Sequence, residues 1–250
     1  FKFKQDDFLV RDMIDLGTGA YPSFVDVNAD GLMDLVVGNG ARFLPQGQRS
    51  IGLTLLQNVG SRQVPRYRNV NRDWLGMNQY NRENFALAPT FGDMDGDGDL
   101  DIVVGAEFGQ LYYAENIAGS GKSMQFGAWQ EKYMGIDIGQ GAVPQIMDIN
   151  GDKLPDLVLG NRRGNLSYFQ NTGTLQKAAF TPQDNALPNI QRLGKVDGTA
   201  EGNFIGYSAP LFFKQNQSLQ LLLGTEKGEL RLYDNIDNNL SGTFHMSDAN

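Results

Sequence analysis

Asp26, Asn28, Asp30 and Asp34 occupy positions 1, 3, 5 and 9 of one short stretch. The same spacing returns at Asp93, Asp95, Asp97 and Asp101, and again at Asp148, Asn150, Asp152 and Asp156. Alternate residues of a tight loop can point inward together, and hard oxygen donors in that number suit Ca²⁺, which takes about six to eight oxygens. Position 7 would add a backbone carbonyl, from Leu32, Asp99 or Leu154. Gly31 and Gly98 stand at position 6, where the chain must bend sharply, while the third turn has Lys153 there and is expected to bind more weakly. An EF-hand needs a bidentate Glu at position 12 and flanking helices. Position 12 is Val37, Val104 or Leu159, inside an apolar run, so that reading fails. Mg²⁺ prefers fewer protein ligands and more water. Asp, Asn and Gly also favour metal-free turns. Three copies at one spacing outweigh that bland alternative, as does the crowding of Asp93, Asp95, Asp97, Asp99 and Asp101 in the second. About three calcium sites are expected.

The elements that must position these turns repeat with them. The acidic phrase reads FVDVNADGLMDLVVGN from Phe24, FGDMDGDGDLDIVVGA from Phe91 and IMDINGDKLPDLVLGN from Ile146. A second phrase occurs four times, as LTLLQN, LYYAEN, LSYFQN and LRLYDN, from Leu53, Leu111, Leu166 and Leu230. The spacing from Gly105 to Asn116 recurs from Gly160 to Asn171 and from Gly224 to Asn235; the first copy carries an insertion over 39–50. Short apolar runs ending in Gly read as strands. Phe108-Gly109, Arg163-Gly164 and Lys227-Gly228 read as the tight hairpins that follow them. A further strand is expected after each hairpin, for example in AWQEKYMGIDIG from Ala128. Four antiparallel strands per repeat predict an all-β propeller. The expected blades are 18–85, 86–140, 141–206 with a long link, and 207–250, with 1–17 as the outer strand of a preceding blade. The fourth repeat has Phe213-Lys214-Gln215-Asn216-Gln217-Ser218-Leu219 where the acidic turn would be, so that blade is expected to form without metal.

At these residues the chain resembles the FG-GAP (VCBS-type) repeat family, which includes the calcium-binding blades of the integrin α-subunit propeller. Phe91-Gly92 and Gly105-Ala106 match the two halves of the family name, with Glu107 in place of the closing Pro, and the Asp/Asn pattern matches in three copies. The resemblance spans about residues 18–240. It implies a propeller of seven blades, of which this chain shows four, with Phe8–Leu16 as a strand of a missing one. It also implies an extracellular or cell-surface setting and adhesion, or binding of protein or sugar. By fold alone it cannot assign a function.

Other chemistry finds few residues to use. His245 is the one histidine and cysteine is absent, so triad, thiolate and disulfide chemistry have no base or thiol to draw on. No phosphate loop is present. A formal charge of −8 opposes nonspecific binding to nucleic acid or to an anionic membrane, and no segment is long and apolar enough to span a bilayer. Glu83, Glu107, Glu115, Glu131, Glu201, Glu226 and Glu229 read as solvated surface. Arg62, Arg66, Arg68, Arg72 and Arg82, with Tyr67, Trp74 and Tyr80 among them, could bind nucleic acid or sugar, but read better as an outer strand and its link. Three N-x-S sequons matter only in a secreted eukaryotic chain. With Phe1 first and no signal-peptide pattern, the chain is expected to be a processed piece. The expectation is a non-enzymatic, calcium-stabilised binding module for a protein or glycan. A propeller module of a carbohydrate-active enzyme, or a structural part of a secreted assembly, is the alternative. Successive turns of antiparallel strands alternate between the two ends of a blade. The ligand is therefore expected on the face opposite the acidic turns, where Arg42, Phe43 and Trp74 are the first candidates.

Overall fold

The computed structural model describes residues 14–44, 49–80, 86–180, 192–200 and 202–249. Four antiparallel sheets follow one another along the chain. In the first, β1 (Thr18–Val25), β2 (Asp34–Phe43), β4 (Leu53–Asn58) and β5 (Tyr67–Trp74) lie side by side, and short β3 (Arg49–Ser50) pairs with the end of β2. The second holds β6 (Ala88–Gly92), β7 (Asp101–Gly105), β8 (Leu111–Ala114) and β9 (Gln130–Glu131). The third holds β10 (Val143–Met147), β11 (Asp156–Gly160) and β12 (Leu166–Phe169). The fourth holds β13 (Ser208–Gln215), β14 (Ser218–Thr225), β15 (Leu230–Asp234) and β16 (His245–Ala249). The arrangement is a four-blade β-propeller, with β1, β6, β10 and β13 innermost around a central space of about 620 Å³.

Alternation along the middle strands builds the core. Ile102 and Val104 of β7 face the first blade, where they meet Val36, Leu53 and Leu55. Val103, on the other side of the same strand, faces Leu157 and Leu159 of the third blade. Val158 in turn packs with Leu219, Leu221 and Leu223 of the fourth. The period of two thus gives each middle strand two apolar faces, one for each neighbouring blade.

A proline recurs in each innermost strand, opposite the residue before the strand-closing glycine: Pro22 to Val37, Pro89 to Val104, Pro144 to Leu159 and Pro210 to Leu223. An innermost strand has a ladder partner on one side alone, so the missing N–H costs little there. The glycine that follows lets the next blade approach. A Cβ on Gly38, Gly105 or Gly160 would lie 1.8, 2.2 or 2.0 Å from the carbonyl oxygen of Leu87, Ala142 or Ser208 on the succeeding blade. Gly224 is the exception, since its nearest neighbours are atoms of Ala209 on its own sheet, at 3.7 Å and beyond.

Three expectations change. The segment from Ala128 yields only β9 and a short 3-10 turn at Tyr133–Gly135, because Lys132 and Met134 take left-handed backbone angles (φ 53° and 50°) that end a strand. The insertion over 39–50 is a hairpin extension in which Arg42 pairs with Ser50 and Phe43 with Arg49. Among the described residues the third blade has three strands rather than four. The strand expected at Phe8–Leu16 falls mostly outside the described residues; Ile14, Asp15 and Leu16 form none.

The glycine contacts predict a contrast. Gly105→Ala and Gly160→Ala each drive a methyl into backbone and should cost about 2–3 kcal/mol. Gly224→Ala should change stability by no more than about 0.5 kcal/mol. Urea unfolding midpoints of the three variants check this.

Candidate functional site

The acidic turns join first to second strands: Val25 pairs with Asp34, Gly92 with Asp101 and Met147 with Asp156. All three therefore lie on one face of the propeller, as expected. They share one hydrogen-bond plan. The position 6 amide donates to the position 1 carboxylate, from Gly31 to Asp26 (2.8 Å), Gly98 to Asp93 (3.1 Å) and Lys153 to Asp148 (3.0 Å). The position 7 amide donates to the position 5 carboxylate, from Leu32 to Asp30 (2.8 Å), Asp99 to Asp97 (3.0 Å) and Leu154 to Asp152 (2.8 Å). Positions 4 and 6 are left-handed throughout: Ala29 and Gly31, Gly96 and Gly98, Gly151 and Lys153. Lys153, at φ 72°, holds a backbone shape that glycine adopts at no steric cost.

Position 9 does a different job from positions 1 to 5. Asp34, Asp101 and Asp156 are at most 1% exposed. One oxygen of each accepts the amide of position 2, from Val27 (3.1 Å), Met94 (3.0 Å) and Ile149 (3.3 Å). The other accepts the amide of the Asn that closes the third strand, from Asn58, Asn116 and Asn171, at 2.8 Å each. That Asn passes the link on. Its Oδ1 accepts two further amides beyond the strand, from Gly60 and Arg66, Ala118 and Gln125, or Gly173 and Ala179. Tyr113 and Tyr168 add their hydroxyls to Asp101 and Asp156. Each buried Asp thus ties the acidic turn to the turn after the third strand.

The next blade covers the first and second turns. Met124 donates its amide to the Val27 carbonyl (2.9 Å) and the Ser123 hydroxyl donates to the Asn28 carbonyl (2.9 Å). Leu175 of the third blade lies against Gly96 in the same way.

The turns differ in charge. Asn28 and Asn150 donate their side-chain amides to the carboxylates of Asp30 (2.9 Å) and Asp152 (2.8 Å). Asp95 takes that place in the second turn and has no proton to offer. Carboxylate oxygens of Asp93, Asp95 and Asp97 lie within 4.8 Å of one another. Burial and then the carboxylates of Asp97 and Asp93 push the Asp95 carboxyl up. Asp99 is buried; Gly119 donates to one of its oxygens (2.7 Å), and the other has no hydrogen-bond partner. Burial, opposed by the amides of Asn116 and Met94, raises Asp101 to about 6, and Asp156 is raised to about 6 for the same first reason. A converging set of hard oxygens from Asp93, Asp95 and Asp97 fits a divalent cation held by oxygen; Asp99, with its buried orphan oxygen, stands outside that trio. Asp101 itself lies outside the close trio.

In the fourth blade the acidic turn is gone. Gln215 pairs with Ser218, and Asn216 and Gln217 (φ 50° and 68°) make a two-residue hairpin.

On the opposite face, Phe43 is 62% exposed and lies under the Arg49 guanidinium, with Arg42 beside it at the tip of β2. Pro45 falls outside the described residues. Trp74 corrects the expectation. It is 8% exposed, packed against Phe91 and Phe126 between the first two blades, and so is core rather than a contact for a ligand. Of the Arg-rich stretch, Arg68 and Arg72 lie on outer strand β5, Arg62 and Arg66 precede it, a short 3-10 turn at Met77–Tyr80 follows, and Arg82 lies outside the described residues. His245 pairs with Asp234 at 2.8 Å on the surface. Sequence reasoning missed a charged group on this face: Arg162 has Glu107 at 3.7 Å, Gln140 at 3.2 Å and the ring of Tyr207 at 5.7 Å. The hairpin spacing places Glu107 and Arg162 at equivalent positions after Gly105 and Gly160, which was the available signal.

The relay predicts that Asp156→Ala costs about 3 kcal/mol in cation-free buffer, because two amides and the Tyr168 hydroxyl lose their acceptor in a buried place. Asp148→Ala, on the exposed side of the same turn, should cost less than about 1 kcal/mol. Chemical denaturation in chelator compares the two.

Residues 85–122, which span β6 to β8 with the second acidic turn, match the FG-GAP repeat family. No curated protein and no solved structure matches the chain. The stretch that matches the FG-GAP repeat thus forms three strands of the second blade in a four-blade β-propeller arrangement.

Proposed function

We propose that the chain is a calcium-stabilised binding or adhesion module, working outside the cell or at its surface, whose protein or glycan ligand meets the face opposite the acidic turns. The observation that carries the calcium reading is the convergence of Asp93, Asp95 and Asp97, with the orphan oxygen of Asp99 beside them. Held there, Ca²⁺ would draw on Asp93, Asp95 and Asp97, and on the position 7 carbonyl of Asp99. The corresponding sets are Asp26, Asn28, Asp30 and Leu32 in the first turn, and Asp148, Asn150, Asp152 and Leu154 in the third. Asp34, Asp101 and Asp156 would serve chiefly as the buried staples behind them. Weak extracellular-type sites, of about 10⁻⁴–10⁻³ M, suit a clamp that fills at millimolar calcium.

The module is non-catalytic in this reading. The carboxylates that converge belong to turns that brace blades, and the opposite face offers loops of unequal length on a rigid frame, which is where binding commonly resides. Arg42 and Phe43 stand on that face. We also propose that the four blades belong to a larger propeller, seven-bladed as the resemblance implies. The open approach at Gly224, with Leu211 and Leu230 exposed beside it, supports this.

Calcium that binds the native state alone raises stability by mass action. Millimolar calcium should therefore raise the melting temperature, and chelator should reverse it. Asp97→Ala should remove more of that rise than Lys153→Ala. An unchanged melt on adding calcium refutes the clamp. Asp95→Asn should separate the two roles: the new amide can donate to Asp97 as Asn28 does to Asp30, so the variant should gain up to about 0.5 kcal/mol in chelator while responding less to calcium. Acid should oppose the metal. Asp101 is raised from 3.8 to about 6, so the cation-free fold takes up a proton there, and loses that share of its stability as pH rises through this window. A cation offsets the cost, so the calcium-induced shift should be larger at pH 7.5 than at pH 5.5, read by melting at both.

A further inference from the structure

A cleft of about 370 Å³ opens on the face opposite the acidic turns, between one hairpin of the repeat and two links that the repeat does not specify. Ile138 and Gln140 come from the link between the second and third blades, Arg162 and Arg163 from the β11–β12 hairpin, and Phe204 and Ile205 from the approach to β13. Its two cations differ. Arg162 is held in place by Gln140, Glu107 and the face of Tyr207. Arg163 is exposed, and among the described residues its guanidinium makes no hydrogen bond or ion pair. Phe204 is 95% exposed at the rim. An aromatic ring held in water without packing, next to an unengaged guanidinium, is unusual in a chain whose formal charge is −8.

We propose that this cleft binds an acidic sugar residue of a glycan. The Arg163 fork takes the carboxylate, a planar match that a guanidinium makes with two parallel hydrogen bonds. The apolar C–H face of the sugar ring lies against Phe204 and Ile205, and the Gln140 amide is in place for a ring hydroxyl. Arg162 is a positioning residue here, since Glu107 already partners it and its role is to keep the hairpin and the Gln140 link together. A neutral sugar leaves Arg163 without its anion. An extended acidic peptide supplies the charge but no broad C–H face for Phe204 and Ile205.

This inference rests on the reading of the opposite face as the ligand face. The test is titration calorimetry of the whole chain, in calcium, with a tetramer of galacturonate as probe. A neutral galactose tetramer and an oligoglutamate of equal charge are the comparisons. The expected result is binding of the uronate alone, weakened at least tenfold by Arg163→Ala and by Phe204→Ala, with melting temperatures unchanged. Asp97→Ala, on the far face, should leave it intact, which excludes uronate held through calcium at the second turn, and Asp30→Ala and Asp152→Ala exclude the other two in the same way. Uronate binding that survives both cleft variants overturns the assignment, as does equal affinity for the neutral tetramer or for oligoglutamate. If Arg42→Ala abolishes binding and Arg163→Ala does not, the face stands and the cleft is wrong. No uronate binding at millimolar concentration rejects the cleft, while the calcium melt independently judges the clamp.

Discussion

A buried carboxylate that must accept backbone amides from two separated stretches of chain is the constraint on which the first three blades depend. Asp34, Asp101 and Asp156 each sit at the start of a second strand and bond the amide of position 2 behind them and of an Asn more than a dozen residues ahead. A carboxylate is needed because both oxygens must be acceptors at once; an amide side chain would offer one acceptor and present a donor to an amide that has nothing to receive it. The cost of burying the charge shows in the raised pKa of Asp101 and Asp156. The return is that the acidic turn, the second strand and the turn after the third strand become one unit. The next blade's loop then closes over that unit, as Ser123 and Met124 do over Asn28 and Val27.

Blade spacing follows from a second, purely steric rule. A strand-closing glycine on one blade meets the carbonyl just before the X-Pro start of the next, and Pro144 Cδ would stand 2.7 Å from a Cβ on Gly105. No side chain fits between them, so the blades are drawn together at one end, the end away from the acidic turns. The two ends of the propeller therefore have opposite characters. One is locked by repeated turns, the first two covered by the next blade. The other is close-packed at the backbone and crowned by hairpins and links of unequal length, which carry Phe43, Arg163 and Phe204 into solvent.

Much of this was legible in the residues. The second phrase fixed where third strands lie, because LYYAEN and LSYFQN hold a constant distance from Gly105 and Gly160. The turns were legible because Asp, Asn and Gly recur at positions that demand acceptors or left-handed backbone. The job of position 9 was not, since a metal ligand and a buried staple both require a carboxylate at the same place. Only the depth of Asp101 and its two amide donors distinguish them. Trp74 misled because its sequence neighbours are arginines, whereas its packing partners, Phe91 and Phe126, belong to the next blade. Outer strands were the least legible: β9 retains two residues because Lys132 and Met134 turn left-handed just after it, at residues whose types do not announce that backbone. The cleft beside Arg163 was legible in its hairpin alone, because the two links that complete it have no repeat in common.

The fourth blade shows what the acidic turn is not needed for. Its β13 and β14 pair over eight positions and close with Asn216 and Gln217, so a hairpin of ordinary length joins the same two strands that eight residues join elsewhere. The propeller sheet can thus form without carboxylates, and the longer turn must serve something beyond strand connection. Its extra residues reach toward the neighbouring blade, at Val27 and Asn28 in the first turn and at Gly96 in the second. They do so with carboxylates that repel one another unless an amide or a cation intervenes. The first and third turns contain that amide, in Asn28 and Asn150; the second does not. The demand for a cation is therefore greatest where Asp95 replaces the amide, in the second turn.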